Sequence, residues 1–340
     1  MAQGAVTLAE IWRGDLLESQ HDGWAVVAKP DGEVVASWGD PGHIIYPRSS
    51  AKMLHQLPLV ESGAADAMGL TPAQLALACA SHDGAKEHTT MVSEWLAALG
   101  LGDDDLRCGP QVPFDEAARH AILCDGGPAC QMHNTCSGKH MGYLTASKHM
   151  GASLDDYIDP SHPLQKQVLA ALEEMSGEDA KAMGIDGCSA PTFAISVAGL
   201  AKAMAKMAAP QGLGETRAKA ATRLIDAMRE NPVMVRGETA SDTRMMEATG
   251  GRAAVKFGAE GVYTAAIPDL GIGVALKVAD GNLRGAEAAI ATLLTRLGVA
   301  EAEDPRIKDY MTPVLLNRRS LAVGETRPSA TLWEDGKALL

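Results

Sequence analysis

Ser49 and Lys52 stand three residues apart in Tyr46-Pro47-Arg48-Ser49-Ser50-Ala51-Lys52, a stretch that leaves an apolar run and enters a segment of helical character. On a helix beginning near Ser50, this spacing sets the hydroxyl and the ammonium stem on one face of the first turn. A serine hydroxyl is a weak nucleophile until a base takes its proton, and a neutral amine is such a base. A helix N-terminus favours negative charge and disfavours a protonated lysine, so both effects point towards an activated Ser–Lys pair. The alternative for the same residues is an N-cap serine beside a solvated lysine. Two further pieces bear on the choice: Ser81-His82-Asp83 after a helical pattern, and Lys256-Phe257-Gly258 in a β-type run. A lysine with an ordinary pKa of about 10.4 becomes a base near neutrality when it is desolvated or set beside another cation, and Lys256 and Arg48 are cations available for that. A glycine after the strand lysine would let substrate backbone approach the sheet edge. Taken singly, Ser81 reads equally as a helix-terminal cap and Lys256 as a solvated edge-strand residue.

His133-Asn134-Thr135-Cys136-Ser137-Gly138-Lys139-His140 and Ile185-Asp186-Gly187-Cys188-Ser189-Ala190-Pro191 form a second constellation. Cysteine and histidine at these spacings could ligate zinc. There is no Cys-x-x-Cys pair and no His-Glu-x-x-His, so spacing leaves zinc and buried thiols both open. Gly138 and Gly187 permit tight backbone beside a ligand. Asp186 either anchors a substrate ammonium or caps a helix beginning near Ser189.

Elements must bring these pieces together. Trp24–Ala28 and Glu33–Trp38 are β-rich runs around Asp31-Gly32, a hairpin signal. Thr71-Pro72-Ala73-Gln74 supplies an N-cap, a first-turn proline and a Gln three residues on, which predicts a helix ending near Ser81. Further helices are predicted from about Glu87 to Gly100 and over Asp115–Leu123, Lys139–Met150, Pro163–Met175, Ala190–Ala208 and Glu215–Arg229. Pro58 should kink the helix after Lys52. Strands return at Ala253–Phe257, Val262–Ile267 and Ile272–Val278, followed by a helix over Arg284–Leu297. Strands at both ends with helices between imply an α+β fold: one antiparallel sheet built from both chain ends, flanked by helices, with an inserted helical lobe. We expect one domain over residues 1–340, with a sheet lobe of about 1–48 and 250–340 and a helical lobe of about 49–249.

Composition narrows the function. Among the 340 residues, 43 Asp and Glu outnumber 30 Lys and Arg, giving a net charge of -13 that argues against a phosphate-tracking surface and hence nucleic acid. The apolar runs near Ile195 and Leu293 are interrupted too soon to span a bilayer. The N-terminus carries no export pattern, which implies a cytoplasmic protein whose six cysteines are free or ligating.

The order Ser-x-x-Lys, Ser-x-Asp, strand Lys-x-Gly resembles serine β-lactamases and penicillin-binding proteins in order and topology. More closely, the chain resembles the rhizobial-type L-asparaginase family. The resemblance is carried by Pro47–Lys52, Ser81–Gly84, His133–His140, Ile185–Cys188 and Lys256–Gly258, and it runs from about Trp24 to Gly281. It implies a serine β-lactamase-like fold and hydrolysis of L-asparagine. It further implies that Ser49 is the nucleophile with Lys52 as its base, that Ser81 and Lys256 form a second tandem, and that Arg48, Asp186 and His140 surround the substrate. Cys136, Lys139 and Cys188 would hold zinc, with a neutral lysine, and the working form would be a homodimer. A β-lactamase-like hydrolase of another amide or ester, and a non-catalytic amino-acid-binding regulator, are the competing expectations.

Overall fold

The computed structural model describes residues 2–125 and 127–340. In chain order the strands are β1 (Val6–Arg13), β2 (Leu16–Ala28), β3 (Val34–Trp38), β4 (Ile44–Ile45), β5 (Ala182–Ile185), β6 (Pro191–Ser196), β7 (Ala254–Gly258), β8 (Val262–Ile267), β9 (Ile272–Val278), β10 (Val314–Leu316) and β11 (Ala322–Pro328). The chain forms two compact units, one of residues 1–50, 195–209 and 244–340, the other of residues 51–194 and 210–243.

The first unit is built on an antiparallel sheet ordered β10-β11-β1-β2-β9-β8-β7. The first half of β2 pairs with β1, and β3 takes over along Ala25–Ala28. Strands from both chain ends thus make one α+β sheet, as the sequence pattern implied. Every residue of β8, and β9 from Ile272 to Leu276, is buried. Continuous burial means that both faces of these strands are covered, since neighbouring side chains point to opposite sides. The Val197–Ala208 helix lies on β2, β8 and β9, and the Leu283–Arg296 helix lies on β1, β8 and β9. A Cβ at Gly273 would stand 2.1 Å from the Ala201 carbonyl oxygen and 2.2 Å from the Ala205 nitrogen, so only glycine lets the Val197–Ala208 backbone rest on β9.

The second unit is helical around the Ser137–His149 helix, which is buried from Ser137 to Ser147 on all sides. A helix without a polar face is a central one. The Pro72–Ala78, Lys86–Leu99 and Pro163–Ser176 helices pack on it. Gly138 and Gly142, one turn apart, admit the Leu77 carbonyl and the Gln56 side chain where a Cβ would come within 2.1 and 2.0 Å. The capping box at Thr71 is present, with Gln74 N–H on Thr71 Oγ1 and Thr71 N–H on Gln74 Oε1. Pro58 does more than kink its helix. The Lys52–His55 helix stops, and a new one starts at Leu57 with Pro58 in its first turn.

Two local expectations are corrected. Ala190–Ala208 is strand β6 followed by a helix, because Ser196 caps the helix by accepting the Gly199 N–H at 2.8 Å and so fixes its start at Val197. No helix starts near Ser189. Asp186 and Ala190 instead close a β5–β6 hairpin, with Ser189 in the left-handed region at φ 68°. We expect Gly273→Ala to destabilise the protein by about 1–3 kcal/mol, as overpacked backbone contacts do, lowering the urea midpoint.

Candidate active site

In the sheet-containing unit the Pro47–Ser50 turn is held from two sides. Ser50 Oγ donates to the Pro47 carbonyl at 2.7 Å, and Thr264 Oγ1 on β8 donates to the Ser50 carbonyl at 2.9 Å. Thr264 is the register partner of Lys256 on β7. Gly258 is the point of closest approach: a Cβ there would meet the Pro47 carbonyl oxygen at 2.7 Å and the Ser50 nitrogen at 3.0 Å. The glycine after the strand lysine therefore admits the chain's own turn, where the sequence suggested substrate backbone. Arg48 has φ 55°, a conformation that costs a non-glycine residue about 1–3 kcal/mol. Half-buried Ser49 follows it in a 3-10 turn over Arg48–Ala51 that runs into the Lys52–His55 helix. Lys256, expected as a solvated edge lysine on one reading, is fully buried and donates to the Phe257 carbonyl at 2.7 Å.

The helical unit holds Lys52, Ser81, Cys136, Lys139, His140, Asp186 and Cys188. Lys52 is buried at 1% exposure, and its Nζ donates to the Ala80 carbonyl, to Ser81 Oγ at 3.1 Å and to Cys136 Sγ at 3.2 Å. Lys139 Nζ reaches Cys188 Sγ at 3.0 Å. The two thiols compete for one proton. Sharing its proton with Cys188, and then burial, push the Cys136 thiol up to about 12. The same hydrogen bond, assisted by Lys139 against the cost of burial, holds Cys188 well below the usual thiol range. Burial, the largest single influence, would lower Lys139, but the charges of Cys188, Tyr143, Cys136 and Asp186 together outweigh it and keep the ammonium charged. An amine, a thiol, a thiolate and a second amine thus form one buried chain. Cys188 reaches it from the tip of the β5–β6 hairpin.

The model for the family described as L-asparaginase II matches residues 9–328. The chain belongs to the L-asparaginase II family. No match is found among curated proteins. Among solved structures, Mglu in its glutamate form is similar at 14% identity and TM-score 0.45, over 85% of this chain and 64% of that one. A β-lactamase from Mycobacterium bovis is similar at 14% identity and TM-score 0.37, over 78% and 89%. A putative β-lactamase from Bacteroides dorei DSM 17855 is similar at 14% identity and TM-score 0.43, over 76% and 87%. The chain spans about two thirds of the length of Mglu. These likenesses are loose, and membership rests on the family match.

Several residues of this family member that the sequence left without a role now have one. Gly84 N–H donates to His82 Nδ1 at 3.1 Å, so the neutral ring donates from Nε2 to Ser137 Oγ at 2.8 Å, tying the Ser81–Gly84 loop to the start of the central helix. Ser81 N–H and Asp83 N–H pair with the Val235 and Arg236 carbonyls at 2.9 and 2.7 Å, which fixes the backbone that carries Ser81. His82 and Asp83 lie in the Ser81–Gly84 stretch that carries the family resemblance, so the signal was present without the geometry to interpret it. Among the described residues, no group of three or more His, Cys, Asp or Glu side chains is gathered to hold a metal.

His55, His82 and His140 are buried and neutral. Burial, then the charge of Lys139, lowers His55 to about 3. Burial likewise holds His82 and His140 well below the ordinary histidine value. The unfolded chain binds these protons below about pH 6.5 and the folded chain does not. Their contribution to stability is therefore complete above about pH 6.5 and is lost as pH falls below it, for His55 down to about 3. We expect His55 by itself to cost about 2 kcal/mol between about pH 7 and about pH 5, with His82 and His140 acting in the same direction. Urea unfolding at the two pH values measures this, and equal stabilities would contradict it.

Proposed function

We propose that this chain hydrolyses L-asparagine to L-aspartate and ammonia through an acyl-enzyme on Ser49. The reading draws on membership of the L-asparaginase II family. The observation that carries it is the buried Lys52 amine, 3.1 Å from Ser81 Oγ and three residues along from Ser49. Ser49 Oγ attacks the side-chain amide carbon, and its proton passes to Lys52, which as a neutral base gives up one of the three hydrogen bonds that its ammonium donates. Backbone N–H groups at the start of the helical segment stabilise the oxyanion. Ser81 and Lys256 deliver the proton that leaves with ammonia, and water then hydrolyses the Ser49 ester to release aspartate. Arg48, Asp186 and His140 bind the carboxylate and ammonium of the amino acid. We take the working form to be a cytoplasmic homodimer, as the family resemblance implies.

Cys136, Lys139 and Cys188 would hold the zinc ion. The fit rests on the donor set: two sulfurs, one already favoured as thiolate, and an amine whose proton the metal would replace. When bound, the ion would supply fixed positive charge and Lewis acidity beside the reacting groups.

Ammonia release from L-asparagine should fall by at least about 1,000-fold in Ser49→Ala, as for a nucleophile acting within a concerted unit. Full activity in that variant would remove Ser49 from the mechanism. Hydrolysis of penicillin-type compounds without ammonia from asparagine would point to the β-lactamase-like reading. Discrimination against L-glutamine rests on one methylene, so its kcat/KM should be lower by roughly 10–200-fold and not abolished. Parallel steady-state kinetics on the two amides measure the ratio.

A further inference from the structure

His140 lies on the central helix and is fully buried, with its Nδ1 2.6 Å from Tyr157 Oη. The direction of that hydrogen bond follows from the third partner. Tyr157 Oη accepts the Arg107 backbone N–H at 2.9 Å, so its own hydrogen needs an acceptor, and His140 Nδ1 is the one in place. The reverse arrangement would leave the buried phenolic hydrogen unpaired, which costs about 1–3 kcal/mol. Nδ1 therefore accepts, and the neutral ring carries its proton on Nε2. Among the described residues Nε2 has no hydrogen-bond partner. A buried donor without a protein partner calls for an acceptor from outside the chain, such as water or the oxygen of a ligand.

Tyr157 is itself immobilised. It is fully buried, its carbonyl accepts the Gln165 side-chain amide at 2.8 Å, and its ring stands edge-on to His140 at 5.4 Å and to Tyr143 at 6.4 Å. Arg107, which supplies the N–H, is anchored by its side chain on the Asp104 and Asp155 carbonyls at 2.6 and 3.0 Å. His140 follows Lys139 on the central helix, and its backbone N–H donates to the Cys136 carbonyl at 3.0 Å, which places it next to the amine–thiol chain along that helix.

We propose that Tyr157 is a positioning residue that locks His140 in the tautomer protonated at Nε2, so that His140 donates a hydrogen bond to a carboxylate or carbonyl oxygen of the bound amino acid. The ligand part rests on the reading that this chain binds L-asparagine; the tautomer part does not. Tyr157 touches no substrate. It acts by denying His140 the alternative tautomer, in which Nε2 would face the same oxygen with a lone pair.

Long-range 15N–1H correlation spectra of the His140 imidazole in the intact protein and in Tyr157→Phe test this. The intact protein should show a single neutral form protonated at Nε2, and Tyr157→Phe should show a mixture of tautomers. Protonation at Nδ1 in the intact protein would overturn the proposal even if the variant failed to fold, and so would an unchanged spectrum in the folded variant. Kinetics give the second arm. Tyr157→Phe should raise KM for L-asparagine about tenfold, the effect of one lost hydrogen bond, with kcat changing less. Combining it with His140→Gln should add nothing to His140→Gln alone, whereas additive effects would assign Tyr157 a purely structural part. Failure of asparagine turnover in the intact protein would count against the proposed activity, while the spectra would still decide the tautomer.

Discussion

Burying a lysine is expensive, and this chain does it three times, at Lys52, Lys139 and Lys256, each at no more than 2% exposure. An ammonium removed from water costs several kcal/mol unless acceptors replace its hydration, and the acceptors must already be in position when the core closes. Much of the local structure is a solution to that problem. Lys52 takes the carbonyl of Ala80, just past the Pro72–Ala78 helix, where carbonyls are not spent on intrahelical bonds. Its other acceptors are a hydroxyl and a thiol. Lys139 is matched by a thiolate rather than a carboxylate. The side chains best suited to chemistry are thus those with the fewest alternatives.

Sulfur suits this balance. A lone buried thiol stays protonated, as burial pushes Cys108 upward. When one thiol can pass a hydrogen bond to the next and an amine stands beyond it, a single thiolate becomes the cheaper state. That arrangement neutralises Lys139 electrostatically and leaves a set of soft donors that a metal could take over by displacing protons.

Close backbone approach is the second device. Gly138 and Gly142 let the central helix meet the Leu77 carbonyl and Gln56 without an intervening Cβ, and Gly258 does the same for the Pro47–Ser50 turn. Each contact sits within a few residues of a candidate site residue. The helix break at Pro58 serves the same end, since it isolates a single turn, Lys52–His55, whose four residues are all buried. Among the described residues, hydroxyls, amides and rings on and beside that turn and on the central helix have no hydrogen-bond partner: His55 Nδ1, Gln56 Oε1, His140 Nε2, Tyr143 Oη and Ser147 Oγ. A polar interior of this kind is rigid where it is satisfied and receptive where it is not.

What the sequence determined by itself was largely local. The Thr71 capping box, the Asp31-Gly32 hairpin and the glycine-punctuated strands β7, β8 and β9 are written in neighbouring residues and appear where the pattern put them, as do most of the helices, Ala190–Ala208 excepted. Strand β1 escaped because bulges near Leu8 and between Ile11 and Trp12 disrupt its period-two alternation, and β10 and β11 because they are short and weakly apolar. The motif blocks identified candidate residues, but partners were beyond sequence. That Lys52 meets Ser81 and Cys136 and that Tyr157 fixes His140 are contacts between residues 17 to 84 positions apart, whereas the grouping of Lys139 with Cys188 came from the resemblance and not from local pattern. Local pattern fixes which face of an element is apolar; which polar groups meet depends on how closely the helices pack, and only the folded chain decides that.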